Sequence, residues 1–231
     1  MKVWWSVLLS IMFASIPAIT SSQSGSPQSP MEISGEPRHH PKFENEFVRI
    51  WDVTVPAGDA TLWHAHRNDN VVVTLGDASL RVENATAPPA ESQWKFGQVR
   101  FAKATYVHRA VNIGTTPFHN LTIELLKSPP ASPAPSANGP ATRQPILEND
   151  RVRVYRVSLA PGESLPMHRH PVAGLAVTLS ACEIAIRAEG SKQVQKLKLL
   201  EGDVRWRAGA VTHSIQNTGK TRFEAVDIEL K

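Results

Sequence analysis

The chain has 231 residues, with 25 Lys and Arg against 21 Asp and Glu, nine His and a single Cys. One Cys excludes an intramolecular disulfide and a multi-thiolate metal site. No basic run exceeds two residues, so the concentrated Lys/Arg stripe used in nucleic-acid binding is absent.

The first element is Lys2 followed by an apolar stretch from Val3 to Ile19. It is interrupted by Ser6, Ser10, Ser15 and Pro17 and falls short of the roughly 20 residues a spanning helix requires. Residues 1–22 therefore read as a signal peptide cut near Ala18 to Ser22, and the alternative is an N-terminal membrane anchor. Cleavage would leave a periplasmic or secreted protein without a stable membrane span. Residues 23–42 are rich in Ser, Gln, Pro and Gly and read as a disordered linker, in which His39 and His40 are solvated. A compact block follows at 43–127. A second linker, 128–143, contains Pro129, Pro130, Pro133, Pro135 and Pro140, and another compact block occupies 144–231.

The two blocks are copies of one another. Phe43 to Leu75 aligns with Leu147 to Leu179 at an offset of 104, with 11 identities in 33 positions. Gly97 to Leu125 aligns with Gly202 to Leu230 at an offset of 105, with 11 identities in 29. Val48 to Val55 and Val152 to Leu159 alternate as half-buried strands do. Short β-rich runs, such as Val71 to Leu75 and Ile184 to Ile186, are separated by turns at Pro56-Ala57-Gly58, Pro161-Gly162 and Asn217-Thr218-Gly219. The fold class is all-β, with each block a sandwich or barrel.

Six of the nine His fall at equivalent places in the copies: His64, His66 and His108 in the first, His168, His170 and His213 in the second. Residues i and i+2 of a strand point to one face, so each His-x-His pair aims together. The third His arrives on a distant strand, 42 or 43 residues on. Three converging neutral imidazoles suit a borderline divalent metal.

These residues resemble the cupin family, in its two-barrel bicupin form. Gly58, His64, His66 and Gly76 match its first motif. In the second copy Gly162, His168 and His170 match it, with Ser180 in place of the closing Gly. Gly97, His108 and Asn112 match the second motif, as do Gly202, His213 and Asn217. Lys103 and Thr105 in one copy, and Ala208 and Ala210 in the other, replace its Pro and Gly. The resemblance implies two tandem cupin (double-stranded β-helix, or jelly-roll) barrels. It also implies a divalent metal ion, one or two per chain, with Fe, Mn or Zn as candidates, held by the six His. The Glu ligand of the first motif is absent, since Asn70 and Gly174 stand in its place. An all-His facial set remains, with positions open to substrate.

Further expectations follow for single residues. Asp69 is turned away if Asn70 faces inward. Glu124 and Glu229 are either carboxylates behind a ligand His or, as the alternation with Ile123 and Ile228 suggests, solvent-facing. Trp51, Tyr155, Phe101 and Trp206 read as core, Trp63 and Met167 as structural residues on the face opposite the His, and Cys182 as a buried thiol. Val72, Thr74, Ala176 and Thr178 are expected to line the barrels. His119 has Glu224 as its counterpart and no claim as a ligand. The functional expectation is an exported metal-binding bicupin, a dioxygenase-like oxidoreductase acting on a small organic molecule. The alternative is a non-catalytic module that binds metal or a small ligand in the cell envelope. Either form would be a monomer or homodimer.

Overall fold

The computed structural model describes residues 30–130 and 144–231. Residues 1–29, which include the signal peptide expected at 1–22, and residues 131–143 of the linker expected at 128–143 lie outside the described residues. No helix among the described residues is long and apolar enough to cross a membrane.

The first barrel has ten strands: β1 (Met31–Glu32), β2 (His39–Glu44), β3 (Val48–Val55), β4 (His64–His66), β5 (Asn70–Thr74), β6 (Ala78–Asn84), β7 (Ala90–Trp94), β8 (Val99–Ala102), β9 (Tyr106–Asn112) and β10 (Phe118–Leu125). The second has nine: β11 (Leu147–Glu148), β12 (Val152–Leu159), β13 (Ser164–His170), β14 (Gly174–Thr178), β15 (Cys182–Ala188), β16 (Gln195–Leu199), β17 (Val204–Arg207), β18 (Val211–Asn217) and β19 (Phe223–Leu230). In barrel 1 the order β1-β4-β9-β6-β7 faces β2-β3-β10-β5-β8; in barrel 2, β13-β18-β15-β16 faces β11-β12-β19-β14-β17. The pairing is antiparallel apart from β1 on β4. This is the double jelly-roll, all-β architecture that the sequence implies.

The sheets containing β10 and β19 pack against each other, and their outward residues form one shared core. Val48, Ile50, Val71, Val73, Leu121 and Ile123 meet Val152, Val154, Leu175, Val177, Val226 and Ile228 there. Trp206 caps this core, stacked on Phe47 with centroids 5.8 Å apart. Arg151 bridges the barrels, donating to Asp69 Oδ2 at 2.8 Å and to the Leu125 carbonyl at 3.2 Å. Asp69 thus does point away from the lumen, as expected, and it points into the barrel contact.

Because this sheet is covered on both sides, its alternate positions are buried in the lumen. Glu124 and Glu229 are 1% and 5% exposed. This corrects the solvent-facing reading: Ile123 and Ile228 face the other barrel, and the carboxylates face inward. The linker reading of 23–42 also changes. Residues 31–42 form β1, a 3-10 turn at Ile33–Gly35 and most of β2. β2 pairs with β3, so backbone hydrogen bonds and burial of Ile33 order a stretch whose composition looks unstructured. Trp63 and Met167 do lie on the face opposite their His, but at 40% and 44% exposure they are surface residues. Cys182 is buried, and burial raises its thiol pKa.

Asn112 and Asn217, the last residues of the second motif, clamp one end of each barrel. Asn217 is fully buried; its Nδ2 donates to the Leu159 and Thr221 carbonyls at 2.9 and 2.8 Å, and its Oδ1 accepts from Gly219 N at 2.9 Å. Asn112 does the same with Val55, Thr116 and Gly114. Thr105 stands at the motif's second Gly and keeps its left-handed backbone, with φ of 68°.

Candidate metal centre

β4 carries His64 and His66 side by side, and β9 pairs with it so that His108 lies opposite His64. The three Nε2 atoms form a triangle, each 3.1 Å from the other two. In barrel 2, His168 on β13 lies opposite His213 on β18. There His170 Nε2 is 3.1 Å from His168 Nε2 and 3.2 Å from His213 Nε2.

The tautomers follow from what surrounds the rings. His64 Nδ1 donates to the Leu62 carbonyl and His168 Nδ1 to the Pro166 carbonyl, each at 2.8 Å. Their Nε2 atoms therefore carry lone pairs toward the centre. Burial opposes any added charge: His64 is lowered to about 4, and His108 and His213 to about 3, by desolvation first and by the neighbouring imidazoles second. His66 is pushed down further, by burial and then by His108 and His64. His64 and His168 present lone pairs, and burial keeps His66, His108 and His213 from taking up charge, so each cluster of Nε2 atoms is placed to receive a cation. Donors 3.1 Å apart have the spacing of mutually perpendicular metal–nitrogen bonds of about 2.2 Å. Both triads thus suit a divalent metal ion.

The surroundings of the two triads differ. In barrel 1, Asn70 donates to the Tyr106 hydroxyl at 3.0 Å, and the Tyr106 ring lies flat on His66, centroids 4.5 Å apart. Burial raises the Tyr106 pKa to about 12. Glu124 sits opposite Asn70 on β10, but its oxygens accept from Trp51 Nε1 at 2.8 Å and Asn68 Nδ2 at 3.0 Å. The cavity here is small, about 70 Å³.

His39 is where the structure departs furthest from the sequence reading. It is 7% exposed rather than solvated, and it helps to wall this cavity. Its Nδ1 bonds Glu36 Oε2 at 2.6 Å, and a ring nitrogen lies within 4.8 Å of those of His64 and His66. Burial works against the charge on Glu36, yet bonds from His39 and from the Leu62 and Arg38 amides keep its pKa below the ordinary value.

In barrel 2 the missing Glu has a steric explanation. A Cβ at Gly174 would lie 2.2 Å from the Ile228 carbonyl oxygen and 2.7 Å from Arg207 Nη2. Arg207 is the cross-strand neighbour of Gly174 on β17 and fills the space a side chain there would need. Carboxylates come instead from β19: Asp227 Oδ2 and Glu229 Oε1 lie 3.3 and 3.5 Å from His170 Nδ1. They lie behind His170, where a carboxylate can support a ligating imidazole, although Nδ1 makes no hydrogen bond to either. Asp227 also accepts from Arg207 Nη1 at 2.7 Å, whereas Arg207 Nε and Nη2 are buried without a partner among the described residues. Sequence reasoning missed Asp227, because its counterpart is Thr122, and Arg207, because its counterpart is Ala102. A cavity of about 420 Å³ opens beside this triad, walled by Val157, Ile184, Ile186 and Leu199, with Arg205 and Gln195 also on its lining. Val72, Ala176 and Thr178 line the lumens as expected.

No protein-family model matches the sequence, and no curated protein matches it. Solved structures do. AerE from Microcystis aeruginosa is 15% identical with a TM-score of 0.59, over 85% of this chain and 98% of that one. A cupin 2 conserved barrel domain protein from Leptotrichia buccalis is 12% identical with a TM-score of 0.52, over 84% and 88%. Oxalate decarboxylase from Bacillus subtilis, described with Mn(II) centres, is 12% identical with a TM-score of 0.58, over 89% and 78%. At these identities the likeness is one of fold, and the fold is that of a bicupin.

Proposed function

We propose that the chain is an exported, metal-dependent bicupin that carries out dioxygenase-like oxidoreductase chemistry on a small organic molecule, with barrel 2 as the reaction chamber. The observation that carries this reading is the meeting of three converging imidazoles with a cavity of about 420 Å³. His168, His170 and His213 hold the ion there. Fe or Mn fits better than Zn for redox work, and a bound ion supplies Lewis acidity and, as Fe(II), access to dioxygen chemistry. Mn centres in a protein of like fold support the choice of metal class.

The protein's own contribution is binding and exclusion. The apolar walls keep water from the chamber. Arg205 lines the chamber as a guanidinium donor, and Arg207, tied to Asp227 with its Nε and Nη2 buried beneath the lining, adds positive charge. Such donors favour a ligand with a carboxylate or enolate oxygen. Export rests on the leader at 1–22. Barrel 1, with little free volume, is a binding site without turnover.

The test is metal analysis of protein purified under native conditions, followed by oxygen uptake of the Fe(II)-loaded form on a panel of diketones, hydroxy acids, thiols and phenolics. The reading expects up to two ions per chain and uptake that His213→Ala abolishes. Metal content unchanged in His108→Ala and His213→Ala would overturn the metal reading, and no uptake across the panel would overturn the oxidoreductase reading.

A further inference from the structure

We infer that His39 is a fourth imidazole ligand of the barrel 1 ion, held in place by Glu36, so that barrel 1 is a four-His centre with room for water alone while barrel 2 remains a three-His centre open to a larger ligand. The inference rests on the reading that His64, His66 and His108 hold an ion.

Four observations meet at His39. Strand alternation on β2 turns His39 inward and leaves His40 exposed. The His39 ring packs edge-on against His64 with centroids 4.8 Å apart, within the 4.6 to 5.0 Å separations of the triad, and stands 6.2 Å from His66. With Nδ1 engaged by Glu36, Nε2 is the nitrogen left for the cavity, and the ring nitrogens of His39, His64 and His66 already gather within 4.8 Å. Glu36 is itself fixed, 1% exposed and accepting from the Arg38 amide at 2.8 Å and the Leu62 amide at 3.1 Å. A buried carboxylate bonded to the far nitrogen of an imidazole is the usual support of a ligating His: it sets the tautomer, aims the ring and raises its basicity.

The same Glu36 grips the amide of Leu62, whose carbonyl orients His64. One carboxylate thereby ties the N-terminal segment to the His-x-His strand. At the repeat offset the second copy has Pro140 and Arg143 in place of Glu36 and His39, so its sequence holds no equivalent dyad. The small cavity agrees with this difference. About 70 Å³ leaves room for about two waters and not for an organic substrate beside four side-chain ligands.

The experiment uses the full chain carrying His213→Ala, so that barrel 1 alone is read. Zn²⁺ affinity is measured by competition with a chelator, and the visible absorption of the Co²⁺-loaded form reports its coordination. His39→Ala is expected to weaken Zn²⁺ at least 100-fold and to shift the Co²⁺ bands. Glu36→Gln, which preserves shape, is expected to weaken Zn²⁺ about 10- to 100-fold, and His40→Ala to change nothing. Far-UV circular dichroism of the metal-free variants verifies folding, and should His39→Ala fail to fold, Glu36→Gln and His39→Gln decide. Zn²⁺ affinity within threefold of the parent together with an unchanged Co²⁺ spectrum in the folded His39 variant would overturn the inference while leaving the three-His reading intact. Failure of His108→Ala to weaken Zn²⁺ would overturn both.

Discussion

Gly174→Ala tests whether geometry rather than chance removed the Glu from barrel 2. The added Cβ would lie 2.2 Å from the Ile228 carbonyl oxygen, about 1 Å inside an ordinary contact. Relief by backbone movement is blocked on both sides: β19 is laddered to β12 along its length and to β14 at Gly174 itself. Behind it, Ile228 is fully buried in the core shared by the barrels. The second clash, 2.7 Å from Arg207 Nη2, falls on a side chain that can yield, though only by leaving Asp227. Overpacking of this kind costs about 1–3 kcal/mol, and the rigid partner places it at the upper end. For a chain of this size each kcal/mol lowers Tm by about 2–4 °C, so a loss of about 5–10 °C is expected. Thermal unfolding of the metal-free protein measures it without interference from ion binding. Introduced into an Arg207→Ala background, Gly174→Ala should cost less than in the parent but not nothing, because the carbonyl clash persists. A melting temperature of Gly174→Ala within 1 °C of the parent would refute the steric account.

Thr105→Gly should stabilise the protein by about 1 kcal/mol, since a β-branched residue is held at φ 68°; a lower Tm would show that the Thr side chain contributes more than its backbone strain costs. Asn217→Ala removes two donated bonds and two accepted bonds, the second from the Cys182 thiol, from a fully buried site and should cost about 3 kcal/mol in urea unfolding; a loss under about 1 kcal/mol would be inconsistent with the clamp. The metal-free protein should lose stability as pH falls below about 6.5. There the unfolded chain takes up protons that the barrels refuse, because His64 is lowered to about 4 and His108 and His213 to about 3. The slope is up to about 1.4 kcal/mol per pH unit for each group until those values are reached, so equal melting temperatures at pH 8 and pH 5 would contradict the burial of neutral imidazoles.

The repeat and the six paired His were readable because both rest on a period of two: i and i+2 share a face, and the second copy repeats the spacing. The burial of Glu124 and Glu229 was not readable. Alternation correctly opposes them to Ile123 and Ile228, but nothing local says that the isoleucine face is covered by a second barrel, which leaves the other face as the lumen. His39 escaped for a different reason. Its neighbours Pro37, Arg38, His40 and Pro41 have the composition of a linker. Its order comes from long-range pairing with β3 and from Glu36, and the second copy has no His to flag it. Trp63 and Met167 were assigned to the correct face, but that face of the His-bearing sheet meets solvent.

The two copies stay apolar where they touch each other and diverge in polarity beside their triads. Val48 and Val152, Val73 and Val177, Leu75 and Leu179, Ile123 and Ile228, and Leu125 and Leu230 are identical pairs, and all lie in the shared core. Each barrel must present an apolar face to a near copy of that face, so the changes there, Ile50 against Val154, Val71 against Leu175 and Leu121 against Val226, remain aliphatic. Lumen positions escape this constraint, because each lumen is enclosed by its own barrel. There Asn70 stands against Gly174, Ala102 against Arg207, Tyr106 against Val211 and Thr122 against Asp227. The changes compensate within a barrel: Gly174 makes room for Arg207, and Arg207 has Asp227 to hold it. In barrel 1, Asn70 and Tyr106 close the space beside His66. The contact between the barrels fixes the fold, and the separate interiors let one triad become enclosed at about 70 Å³ while the other opened to about 420 Å³.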